Sequence, residues 1–149
     1  MIRLLRSAWP EGQTYWKHRM KGRCQSLFFI TRPLKVPSFI EIMKDIGAGF
    51  NYPQREIGVY IQPIEHNRAC QLEFDLFYDP QNEEEKKTIK ELYYKAASEM
   101  FKQGAFFTRP YGDLAKMVYE RAASYTMTLK RLKEVFDPKN VMNPGNLCF

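Results

Sequence analysis

The chain has 149 residues, of which 44% are hydrophobic and 15% aromatic, enough for one folded domain with a core and too apolar for a disordered chain. No stretch approaches the ~18 consecutive apolar residues of a membrane span, and the start MIRLLRSAWPEG has no signal-peptide core, so the expectation is a soluble, cytoplasmic protein. The net charge of +6 is concentrated before Lys35, where Arg3, Arg6, Lys17, Arg19, Lys21, Arg23 and Arg32 meet the single acid Glu11; a solvated start is expected over an anionic partner.

In chain order, a polar helix is expected around Glu11 to Met20, followed by a strand over Cys24 to Thr31 (CQSLFFIT). The next helix carries Phe39, Ile42, Met43 and Ile46 on one face, with Ser38 and Glu41 as a capping box and Gly47 as its stop. Ile57 to Ile64 (IGVYIQPI) and Ala69 to Tyr78 (ACQLEFDLFY) alternate with period two and flank the polar loop Glu65 to Arg68, which predicts an antiparallel hairpin. Leu72, Phe74 and Leu76 then point to a core, and Gln71, Glu73 and Asp75 to a polar face where the two acids are expected to be solvated.

A long helix comes next, with Asp79 as N-cap, Pro80 at its first position and Glu83, Glu84 and Glu85 near the positive end of its dipole. Its apolar stripe is Ile89, Leu92, Tyr93, Ala96 and Met100, and Gly104 ends it. The loop Gly104 to Gly112 (GAFFTRPYG) leads into two helices near Asp113 to Ala122 and Ser124 to Val135. This order predicts an α+β fold: an antiparallel sheet with helices on one face, then C-terminal helices and an extended tail.

That tail, KEVFDPKNVMNPGNLCF, cannot stay helical, because Asp137-Pro138 and Asn143-Pro144-Gly145 interrupt it. Its last apolar residues, Leu147, Cys148 and Phe149, are expected to seek burial. Cys24, Cys70 and Cys148 form no CxxC pair, and His18 and His66 have no ligand spacing, so no metal is expected and free thiols fit a reducing compartment.

The DP...NPG ending resembles the terminal signature of FAD-linked oxidoreductases of the vanillyl-alcohol oxidase and p-cresol methylhydroxylase superfamily. The resemblance implies that residues 1–149 are one C-terminal cap, or substrate, domain of ferredoxin-like fold, with the N-terminal flavin-binding domain absent from this chain. It extends to Phe106 to Tyr111, where phenol-oxidising members carry a Tyr-Arg pair on the substrate phenolate: Arg109 matches the arginine, while Thr108 stands in the tyrosine's place and Tyr111 comes two residues later. It implies Arg109, Tyr111 and Glu73 as catalytic residues, and Tyr60, Gln62, Asn143, Pro144 and Gly145 as flavin-side residues.

On the resemblance, the chain completes an FAD-dependent enzyme that oxidises an alkylphenol or related alcohol by hydride transfer to flavin. The FAD would be bound mainly by a flavin-binding domain or subunit on another chain, in an oligomer, with a small aromatic molecule as substrate. The histidine-rich cluster of the 2-hydroxy-acid dehydrogenases in that superfamily is missing, which favours the metal-free branch. The residues also allow a non-catalytic oligomerisation or scaffold subunit, or a truncated remnant. A basic βαββα domain invites an RNA-binding reading, but Glu73 and Asp75 on the open face would repel phosphate.

Overall fold

The structure, a computed structural model, describes residues 17, 20–142, 144 and 148. The expected opening helix therefore lies outside the described residues except at Lys17 and Met20. Strands β1 (Arg23–Thr31), β2 (Ile57–Ile64) and β3 (Ala69–Tyr78) form one antiparallel sheet in the order β1-β3-β2. Helices α1 (Val36–Gly49) and α2 (Glu83–Lys102) cover one face of it, and α3 (Gly112–Arg121) and α4 (Ala123–Phe136) complete the chain order.

Period-two alternation sets the two faces of the sheet. Leu27 and Phe29 of β1 and Leu72, Phe74 and Leu76 of β3 are buried, packed with Phe39 and Met43 of α1 and Leu92, Ala96 and Met100 of α2 in one apolar core. Phe29 lies edge-on to Phe39, with ring centroids 4.9 Å apart, and edge-on to Phe107 at 5.6 Å. The expected α+β layer is what forms.

Three local signals act differently from expectation. The α1 helix begins at Val36 out of a 3-10 turn, with Pro37 in its first turn and no side-chain cap, so Ser38 and Glu41 form no capping box. Gly47 does not stop that helix; it is buried inside it, and a Cβ there would lie 3.2 Å from Ile57 Cδ1, so glycine lets α1 approach β2 closely. Asp79 is not the N-cap of α2. Asn82 is, accepting from the Glu84 and Glu85 amides at 3.1 Å, while Asp79 Oδ1 accepts from the Gln81 amide at 2.9 Å and holds the preceding turn.

At the other end of α2, Gly104 has φ +91°, the Gly104 amide donates to Phe101 and the Ala105 amide to Met100, so the helix closes as a Schellman motif. The chain then runs beside β1, where Phe106 and Ile30 exchange two backbone hydrogen bonds of 2.9 and 3.0 Å. Phe106 thus occupies the place of a fourth strand, giving the order Phe106-β1-β3-β2 of a ferredoxin-like βαββαβ unit with its last strand reduced to one bridge. At the opposite edge β3 runs past the start of β2. There the buried Tyr52 hydroxyl accepts from the Phe77 amide at 2.8 Å and donates to the Phe77 carbonyl at 3.0 Å, in the place of a strand residue.

Helix α4 ends at Phe136, and the buried Asp137 organises the turn after it. Its carboxylate accepts from the Val141 amide at 3.0 Å, from the Met142 amide at 2.8 Å and from Lys133. The Lys133 hydrogen bond holds the Asp137 carboxyl below the usual carboxylate range. The DP element is therefore a hydrogen-bonded turn as well as a helix stop.

Candidate functional site

The face of the sheet away from α1 and α2 is laid out by strand register. Across it, Phe106, Ile30, Gln71 and Gln62 form one row, Phe28, Glu73 and Tyr60 the next, and Ser26, Asp75 and Gly58 a third. Tyr60, Gln62 and Glu73 therefore share the open face, as alternation predicts, and the Tyr60 hydroxyl donates to Gln62 Oε1 at 3.2 Å.

After the Phe106 bridge the chain passes around the β1 edge. Thr108 and Arg109 reach the open side, where they join Ser26, Phe28, Ile30, Gln71 and Glu73 in lining a concavity of about 360 Å³. Arg109 is exposed and makes no ion pair or hydrogen bond among the described residues. Tyr60 and Gln62 lie beyond β3 and do not line this concavity, although Tyr60 is the direct neighbour of Glu73. Tyr111 is exposed just before α3, and Pro144 is exposed. Asn143 and Gly145 lie outside the described residues.

The carboxylates in the middle of the face are not solvated. Asp75 is only 4% exposed and Glu73 is half-buried, because Lys17 sits over both. Lys17 Nζ donates to Glu73, to Asp75 Oδ1 at 2.9 Å and to Ser26 Oγ at 2.9 Å, while the Ser26 hydroxyl donates to Asp75 Oδ1 at 2.5 Å. Burial pulls the Lys17 pKa down, but the hydrogen bonds and charges of Glu73 and Asp75 outweigh it, and the net shift is upward. Cys24 lies at the edge of the cluster, with Sγ 3.4 Å from Asp75 Oδ1; burial and then the Asp75 charge push its thiol up to about 11.

Gly58 makes room for this arrangement. A Cβ there would sit 2.9 Å from the Asp75 Cβ directly across the strands. Lys17, Ser26 and Gly58 are the residues that sequence reasoning missed. The signal was the glycine within an otherwise bulky strand, which marks a close approach.

A family model described as FAD linked oxidases, C-terminal domain, matches residues 36–147, well over half of the chain. The chain belongs to that family. No curated protein and no solved structure matches it. This FAD-linked oxidase domain is thus part of a flavoprotein oxidoreductase, and a flavin-binding domain is its natural partner. The open sheet face, uncovered by α1 and α2 and carrying Tyr60 and Gln62, fits one wall of a flavin ring. The pyrophosphate is a different matter. Among the described residues the closely spaced glycines, Gly47 and Gly49, lie in the last turn of α1 and do not open a helix, so they form no phosphate cradle.

A second concave region lies between α3 and α4, with a volume of about 1000 Å³ and Tyr119, Met127, Lys130 and Cys148 among its lining residues. Cys148 brings the C-terminal tail to this groove. Helix α4 buries none of its side chains and exposes Tyr125, Leu132, Val135 and Phe136. Among the described residues, no helix is long and apolar enough to cross a membrane, and no group of three potential ligands is placed to hold a metal ion.

Proposed function

We propose that this domain forms the substrate wall of a cytoplasmic FAD-linked oxidoreductase that oxidises an alkylphenol or related alcohol, with the FAD held mainly by a flavin-binding domain on another chain. The observation that carries this reading is a guanidinium with no ion pair or hydrogen bond among the described residues, Arg109, beside an aromatic and an acid that is already paired with Lys17. Arg109 stays charged and offers a planar fork of donors to a phenolate oxygen. Phe28 supplies an apolar surface for the ring, and Tyr111 at the head of α3 is the proposed second donor. Lys17, shared between Glu73 and Asp75, reduces the repulsion that a bare carboxylate would exert on an anionic substrate. Glu73 is the nearby acceptor for the phenol proton.

The flavin, when bound, supplies the hydride acceptor for the alkyl carbon. Tyr60, Gln62 and the 143–145 segment are the proposed contacts on its side. The exposed apolar side chains of α4 support a large interface with the flavin-binding partner, and the three free cysteines fit a reducing compartment. The same apolar surface favours, as a second reading, a non-catalytic assembly role.

Titration of a 4-alkylphenol into the full chain, followed by amide NMR shifts, tests the site. Shifts should centre on residues 26–30, 71–73 and 108–109, strengthen as the phenol ionises near pH ~10, and vanish in Arg109→Ala. Shifts located elsewhere, or unchanged by that substitution, would remove the substrate assignment. A chain that alone retains stoichiometric FAD through gel filtration would remove the partner assignment.

A further inference from the structure

Strand β2 is the edge of the sheet, and among the described residues no strand lies beyond it. Its consecutive residues Val59, Tyr60 and Ile61 are 45%, 49% and 47% exposed, so this edge is uncovered on both faces. Charged residues make up 27% of the chain, yet Ile57 to Ile64 contains none. Sheet edges that stay solitary are usually blunted by lysines, inward charges, bulges or proline. Here the one such device is Pro63, near the end of the strand.

We infer that β2 pairs with β2 of a second copy of this chain, antiparallel about a two-fold axis that passes between the two Tyr60 residues. An uncharged strand can face itself without like charges meeting, as an isologous interface requires. Register about Tyr60 sets Val59 opposite Ile61 and Gly58 opposite Gln62, an aliphatic pair on the helix side and a Tyr60-Tyr60 pair on the open side. The flanking charges match in that register: Arg55, exposed before β2, faces Glu65, exposed after it, once at each end. Shifting the axis to lie between Tyr60 and Ile61 would instead bring Glu56 onto Glu65. Residues that face one another across strands point to the same side, so the product is a six-stranded sheet whose two open faces, with both Arg109 concavities, look the same way.

Analytical ultracentrifugation of the full chain over an about 100-fold dilution series should show a doubling of mass with concentration. Hydrogen exchange in the 57–64 peptide should slow as the dimer forms. The double variant Val59→Lys/Ile61→Lys replaces half-exposed side chains, and it should stay monomeric throughout with an unchanged circular dichroism spectrum. Arg55→Glu should weaken association, and Arg55→Glu/Glu65→Arg should restore it. A wild-type chain that is monomeric at every concentration overturns the inference. So does a dimer that survives Val59→Lys/Ile61→Lys, or one abolished by Leu132→Lys on α4 while the 57–64 peptide exchanges as in the monomer.

Discussion

The two faces of β3 bury their side chains by different physics. Leu72, Phe74 and Leu76 are excluded from water by two helices and lose only hydrophobic contact when altered; Asp75, nearly as inaccessible between Phe74 and Leu76, is held by Lys17 and Ser26. The apolar face tolerates a change of shape better than a change of polarity. The polar face depends on pairing instead, since a buried carboxylate with its partner removed is a large penalty while an intact cluster adds little net stability.

Phe74→Ala tests the apolar side at its strongest, and a loss of about 4 kcal/mol in denaturant unfolding is expected from the cavity it leaves. Asp75→Ala should cost nearly as much, about 3 kcal/mol, because it removes the buried acceptor of the Ser26 hydroxyl and one of the two carboxylates that share Lys17. If it costs less than about 1 kcal/mol, the cluster is a solvated surface pair and the contrast between faces fails. Gly58→Ala should cost about 2 kcal/mol by pushing a methyl against Asp75, and a thermal melt equal to that of the parent would show that the strands can separate freely there.

The pH dependence sharpens the same contrast. The folded pKa of Lys17 is raised above its ordinary 10.5, so its contribution to stability is complete below that value and is lost as the pH climbs through the raised one. Lys17→Met should therefore lower stability at neutral pH and flatten the alkaline limb of the stability profile. The smallest effect is expected at Arg109→Ala, within about 0.5 kcal/mol of the parent melt, because that side chain has no partner to lose among the described residues. A large destabilisation would identify Arg109 as structural.

Much of the fold was legible from residue pattern. The limits of β2 and β3, the burial of Leu72, Phe74 and Leu76, and the common face of Tyr60, Gln62 and Glu73 all derive from period two, which is a local property. The helix ends were less legible, because Ser38, Gly47 and Asp79 are each chemically suited to the roles expected of them, yet α1 starts before Ser38, Gly47 serves a close helix–strand contact, and Asp79 holds a local turn while Asn82 caps α2. The Phe106 bridge and the Lys17 cluster were invisible for a further reason. Both join residues far apart in sequence, and a single lysine in a basic stretch carries no mark of the acids it will meet.

The Phe106 bridge has a mechanical consequence for Arg109. Two backbone hydrogen bonds tether the strip to β1, each worth a net ~1 kcal/mol, and the buried side chains of Ala105 and Phe107 pin it from beneath. Arg109 lies three residues past this anchor, in an exposed stretch interrupted by the buried Pro110. The guanidinium is thus carried on a two-residue exposed span held between the buried Phe107 and Pro110. The ends of that span are set by the core, so the backbone at the mouth of the concavity is fixed and the long arginine side chain alone adapts to what enters it. Amide exchange at Ile30 and Phe106 should accordingly be slower than at Thr108 and Arg109.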